Sequence, residues 1–274
     1  ARQVNRVGAF LSHVWSAPRW RKALALYYYM NIELAIGAGV VTWLSLMVWM
    51  VIVNGPTGMG GNEDLLPMFV GGPMVSFLIC FTCGHYLRTP VKDVWLDKFC
   101  IHQTRNQWKV QGVTALPEVV ASSDRMVILW NETYFERLWC NAEVATFCSI
   151  NGGADKLDFV PLWLTPWILS TMVLVTISIC ISNKLFVLIP LSGAYFAKHF
   201  PSGAPWLISF LAQYVGIGIA FSVGYLPVVL PAWHSFRVKL ENHEQMLTQC
   251  KEFKLEHAKC AVESDRAVVE ELVA

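Results

Sequence analysis

The residues with chemistry to offer gather in two short stretches. In "FERLWCNAEVATF" (Phe135 to Phe147), Glu143 stands three residues after the Trp139-Cys140 pair and opens an apolar run. In "WLDKFCIHQ" (Trp95 to Gln103), Asp97 closes an apolar, strand-like stretch. A lone carboxylate in such a setting has two readings. It works on a substrate as a catalytic acid, or it is the polar edge of a packed helix and meets Arg137, Lys98 or solvent. Cys140 has the chemistry of a thiol nucleophile, but no His lies nearby in sequence to activate it, so burial is the default. Cys100 and His102 begin a metal-like pair that no second pair completes, and Cys80 and Cys83 form a CxxC without a redox context. No metal site is expected.

These residues need a scaffold, and composition says where to look for it. The chain has 274 residues, 55% of them apolar and only 15% charged, against about 25% charged in a typical soluble domain. The formal net charge is +1, so nothing points to nucleic acid. Several of the 12 Trp flank apolar windows, as interfacial belts do, and the eight Cys do not form a disulfide framework. A first residue of Ala rather than Met leaves room for a targeting segment ahead of it.

Residues 1–33 are basic and aromatic, and predict a membrane-surface helix leading into a span. Residues 34–87 hold two uncharged windows, Leu34 to Val53 and Leu65 to Gly84, each about 20 residues, the length that crosses a hydrocarbon core. Pro67, Gly71, Gly72 and Pro73 predict a kinked or irregular first half for the second window, with small residues that let another helix approach. Residues 162–233 hold two more windows, about Leu162 to Ser182 and Pro205 to Ala232. A short re-entrant or interfacial segment is expected between them at 185–197. Residues 234–274 read as a helical soluble tail. Lys and Arg counts put the N-terminus, residues 88–161 and the tail on one side of the membrane, a cytosol-like or stroma/matrix-like side, with Glu63 and Asp64 on the other.

Residues 88–161 are soluble in character. Strand-like "VWLDKFCI", "RMVILWN" and "KLDFVPLWL" alternate with helix-like segments, one interrupted at Pro117 and one running through Glu143 to a cap at "NGG", 151–153. That order implies a small parallel sheet.

The insert resembles the Toll/interleukin-receptor (TIR) and fungal heterokaryon-incompatibility fold. The likeness rests on "WLDKFCIHQ", "RMVILWNETYFERLWCNAEVATF" and "FVPL" in order. It is nearest to membrane proteins of single-celled algae and protists with a D-K-x-C-I-x-Q strand, a Y-F-x-R-L-W-C-x-x-E helix and flanking spans. The tail "EFKLEHAKCAVESDRAVVEEL" is similar to that family's tail. The resemblance implies that Glu143 takes the place of the catalytic acid of NAD-cleaving TIR domains, with Asp97 near the same sheet edge. A full TIR domain begins with a further strand. Here that stretch is expected to be "SFLICFTCGHYL", which the second span also claims, so the domain is expected to be incomplete. No Gly-rich phosphate loop accompanies Gly71 and Gly72.

The fold class expected is therefore an α-helical integral membrane protein of about four transmembrane helices with a small inserted, incomplete TIR-like α/β domain. The leading functional expectation is a non-enzymatic membrane scaffold or accessory subunit. It would sit in the lipid bilayer and bind partner subunits, of a photosynthetic or other energy-transducing complex, or further copies of itself, through the insert and the C-terminal helix. The alternative is a membrane-tethered enzyme that cleaves NAD in signalling, with no other cofactor expected. A channel or small-solute transporter is weaker, because the core windows carry no charge.

Overall fold

A computed structural model describes residues 6–54, 66–88, 91, 93–101, 105–151, 154–188 and 205–251. The chain is mostly helical, with one small parallel sheet. It divides into two compact units, Ala1–Pro166 with Met246–Ala274, and Trp167–Gln245.

The first unit holds a four-stranded parallel sheet in the order β2-β1-β3-β4. Its strands are β1 (Val7–His13), β2 (Val94–Trp95), β3 (Ser123–Trp130) and β4 (Leu157–Pro161). β1 is central: Ala9 pairs with Val94 on one side and with Arg125 on the other. "VGAFLSH" is almost wholly buried, as a central parallel strand must be when both faces are covered.

This corrects the expectation of a surface helix over residues 1–33. A short, fully buried apolar run has no amphipathic period, so its basic and aromatic neighbours decided that reading. It also corrects the expected first strand. "SFLICFTCGHYL" is helical, ending in a 3-10 turn at Gly84–Tyr86, and residues 7–13 supply the strand instead. Among the described residues the sheet has four strands, with this one inside it.

Alternation along the strands sorts two cores. Phe10, Met126, Ile128 and Trp130 face one way, against Val120 of α5 (Leu116–Ala121) and Cys140 and Phe147 of α6 (Leu138–Asn151); Met246 joins the same cluster. Ala9, Leu11, Val127 and Leu129 face the other way, against Ala25, Leu26 and Tyr29 of α1 (Arg19–Asn54). Two further helices, α3 (Asp97–Cys100) and α4 (Asn106–Thr114), lie between β2 and α5 in sequence. The expected strand "VWLDKFCI" is a strand only at Val94–Trp95, because Asp97 starts α3 in the first turn, where an acid suits the helix dipole. Likewise α6 starts at Leu138, after a 3-10 turn at Tyr134–Glu136.

Helix α1 runs 36 residues without a break, from the sheet face into the first uncharged window. It packs antiparallel to α2 (Leu66–Cys83). Asn31 Nδ2 donates to the Phe81 carbonyl at 2.8 Å, Thr42 donates to Ser76 at 2.9 Å, and a Cβ on Gly39 would meet the Pro73 carbonyl at 3.5 Å. Of the kinked or irregular first half expected for the second window, the described residues from Leu66 on are helix, with Pro73 inside it.

The remaining helices are α7 (Leu164–Leu188) and α8 (Pro205–Lys251). In the second unit they approach closely: a Cβ on Gly224 would lie 2.9 Å from Ser182 Cα. Residues 185–188, expected in a separate re-entrant segment, continue α7. The rest of that segment, the Glu63/Asp64 loop, the 152–153 cap, His102 and the tail beyond Lys251 lie outside the described residues. Among the described residues three helices, Arg19–Val53, Met68–Tyr86 and Leu164–Ser182, are long and apolar enough to cross a membrane. The fourth expected window lies within α8.

Candidate functional site

The carboxyl ends of β1 and β2 bring the two sequence-predicted acids to one edge of the sheet. Ser12 shares the face of Phe10 two residues on, so it points toward α6. Its hydroxyl donates to Glu143 Oε2 at 2.5 Å and lies 2.5 Å from Tyr134 Oη. Ser12 and Tyr134 are fully buried. Ser12 has one hydroxyl proton, so when it serves Glu143 the Tyr134 hydroxyl must donate to Ser12 Oγ. Protonation of Glu143 allows the reverse order, from Glu143 to Ser12 to Tyr134.

Glu143 takes Ser12 as its hydrogen-bond partner, rather than the Arg137 that a helix-edge reading offers. Among the described residues no ion pair joins it to Arg137, and the Lys98 side chain lies outside them. Residue Glu143 is half-buried, yet its carboxyl group is packed deeply enough that desolvation raises its pKa to about 8. The Asp97 charge adds to that rise and the Ser12 hydrogen bond opposes it.

Asp97 sits beside it on the first turn of α3. Its Oδ2 accepts the Trp15 indole N–H at 2.5 Å, and its Oδ1 lies 3.9 Å from His13 Nε2. His13 is buried and Asp97 largely so, while Trp15 is exposed. Cys140 rests under this group, with its thiol 3.9 Å from the His13 carbonyl. Burial first, and then the nearby Glu143, push the thiol well above its ordinary range. It stays protonated and is no nucleophile.

The site thus joins the two expected acids and adds Ser12, His13, Trp15 and Tyr134, which the sequence reading passed over. The signal was present: "FLSH" ends an apolar run with two polar residues, the pattern of a buried strand delivering side chains to a sheet edge. A carboxylate at the carboxyl edge of an open parallel sheet, fed by a buried hydroxyl chain, can hold a proton or stabilise a developing positive charge. A water-sized cleft of about 40 Å³ opens further along this edge, lined by Arg21, Trp130, Asn131 and Glu132. No protein family, no curated protein and no solved structure matches this chain.

Proposed function

We propose that the chain is a membrane-tethered enzyme that cleaves the bond between nicotinamide and ribose in NAD, with Glu143 as its catalytic carboxylate and Asp97 as its neighbour on the substrate. The resemblance of the insert to TIR domains suggests the chemistry. One observation supports it: β1 pairs between β2 and β3 and carries Ser12 to Glu143 at the carboxyl edge, beside Asp97. The expectation of an incomplete domain favours a scaffold; a strand at residues 7–13 that carries Ser12 supports the enzyme reading instead.

The reaction suits this group. As the C1′–N bond breaks, nicotinamide leaves neutral and positive charge builds on the ribose, where an adjacent carboxylate lowers the barrier. Water then bonds to C1′ and releases a proton. Glu143 is mostly protonated near neutral pH in the free protein, but the pyridinium cation of NAD favours its ionised form. On this reading Asp97 accepts from ribose hydroxyls. A dinucleotide is far larger than the 40 Å³ cleft, so side chains at this edge, the exposed Trp15 among them, must move to admit it. The test is nicotinamide release by the purified full chain at millimolar NAD. Release that is lost in Glu143→Gln supports the reading; no release from folded, oligomerised protein overturns it.

The buried Tyr134–Ser12–Glu143 chain also favours a second reading, in which the acid ties α6 to β1. The chain is then a scaffold that binds partner subunits through the insert and C-terminal helix. Co-purification of partners in mild detergent, retained in Glu143→Gln, distinguishes it.

A further inference from the structure

A cavity of about 660 Å³ opens at the opposite, amino-terminal edge of the sheet. Gly8 of β1, Arg125 of β3 and Asp158 of β4 line it, as do Ile32 and Leu34 of α1. Leu34 begins the uncharged window of α1, so the cavity lies where polar wall meets apolar helix.

Its charges are nearly balanced. Two ion pairs close its sheet side: Arg6 with Asp124 at 2.5 Å and Arg125 with Asp158 at 3.0 Å. The third pair, Arg88 with Glu33, is long at 3.6 Å and both side chains are mostly exposed, so it opens at little cost. Asp93 completes the lining, and among the described residues its carboxylate has no ion pair. Asp93 is also the one non-glycine residue with positive φ among the described residues, at 59°, held there while its carbonyl accepts the Gly8 N–H at 3.0 Å. A backbone in that region costs energy, and such residues gather where a side chain must be aimed.

We propose that this cavity binds the headgroup of an amine-bearing phospholipid from the surrounding bilayer. Arg88 takes the phosphate, Asp93 and Glu33 take the ammonium, and Ile32 and Leu34 face the glycerol end. The lining has one more carboxylate than guanidinium groups, which disfavours a purely anionic headgroup. The ammonium protons matter too, because a quaternary amine cannot donate to Asp93. The apolar wall leading into α1 selects a lipid over a free phosphoamine. The proposal rests on the membrane part of the function above, and not on NAD cleavage.

The test is native mass spectrometry of the delipidated full chain offered phosphatidylethanolamine, phosphatidylcholine or phosphatidylglycerol, with free phosphoethanolamine as competitor. Phosphatidylethanolamine should be retained about tenfold over the other two. Asp93→Asn should abolish that preference and Arg88→Met should lower retention, with circular dichroism and nicotinamide release unchanged. Equal retention of the three lipids, an unaltered preference in folded Asp93→Asn, or full displacement by phosphoethanolamine would each overturn it. Absent nicotinamide release with intact lipid preference would count against the NAD reading alone.

Discussion

Ser12 Oγ lies 2.5 Å from Glu143 Oε2, joining positions 131 residues apart in the chain. The bond fastens the central strand to α6 and opposes the effect of burial on the carboxyl group. Replacing Ser12 by Ala leaves a packed acceptor unserved, at a cost of about 1–3 kcal/mol. Thermal melts should show that loss, and a titration of Glu143 should move to higher pH. A variant as stable as the parent would remove the structural role given to this bond.

Glu143 makes stability depend on pH in a stated direction. Its folded pKa, about 8, exceeds the ordinary 4.5, so the native protein holds the proton more tightly than the unfolded chain. The contribution is full below pH 4.5 and is lost as pH rises toward 8, by no more than ~1.4 kcal/mol per pH unit. Glu143→Gln should flatten melting temperature across this window. A Gln variant with the parent's slope would assign the dependence to another group.

Gly224 meets the backbone of α7. With a Cβ 2.9 Å from Ser182 Cα, Gly224→Ala must push α7 and α8 apart locally, at about 1–3 kcal/mol. Adding Ser182→Gly should recover only part of this, because the Cα remains. Thermal shift in detergent measures both, and full recovery would place the clash on the serine side chain alone.

Asn31 is buried between α1 and α2, with its amide on the Phe81 carbonyl. Asn31→Ala should weaken that helix pair by about 1–2 kcal/mol. Protease sensitivity between α1 and α2 should rise with it; unchanged cleavage would show that Gly39 and Thr42 hold the pair without Asn31.

Much of the fold was legible where a pattern was long or repeated. The uncharged window Leu34 to Val53 is helix, the second window is helix over Leu66–Cys83, and "RMVILWN" and "KLDFVPLWL" contain neighbouring strands. "VGAFLSH" was misread because seven buried residues show no period, and the basic residues around them argued for a surface. That single error hid half the site. Glu143 and Asp97 stand out through the resemblance to TIR domains, but Ser12, His13 and Tyr134 join them only through parallel pairing across long separations. Asp93 was invisible in sequence, since a positive φ there is set by how β2 is approached.

The central place of β1 is also a counting rule for the chain's path. Ala9 pairs with Val94, so whatever α1 and α2 cross between them, they must come back. Met246 sits in the same core as Phe10, so the excursion through α7 and α8 must return as well. On the membrane reading, each excursion makes an even number of crossings, and four is the smallest total in which both excursions cross the membrane. Synthesis follows suit: β1 emerges before β2 and β3, and the α1–α2 hairpin is made before its partner β2 exists.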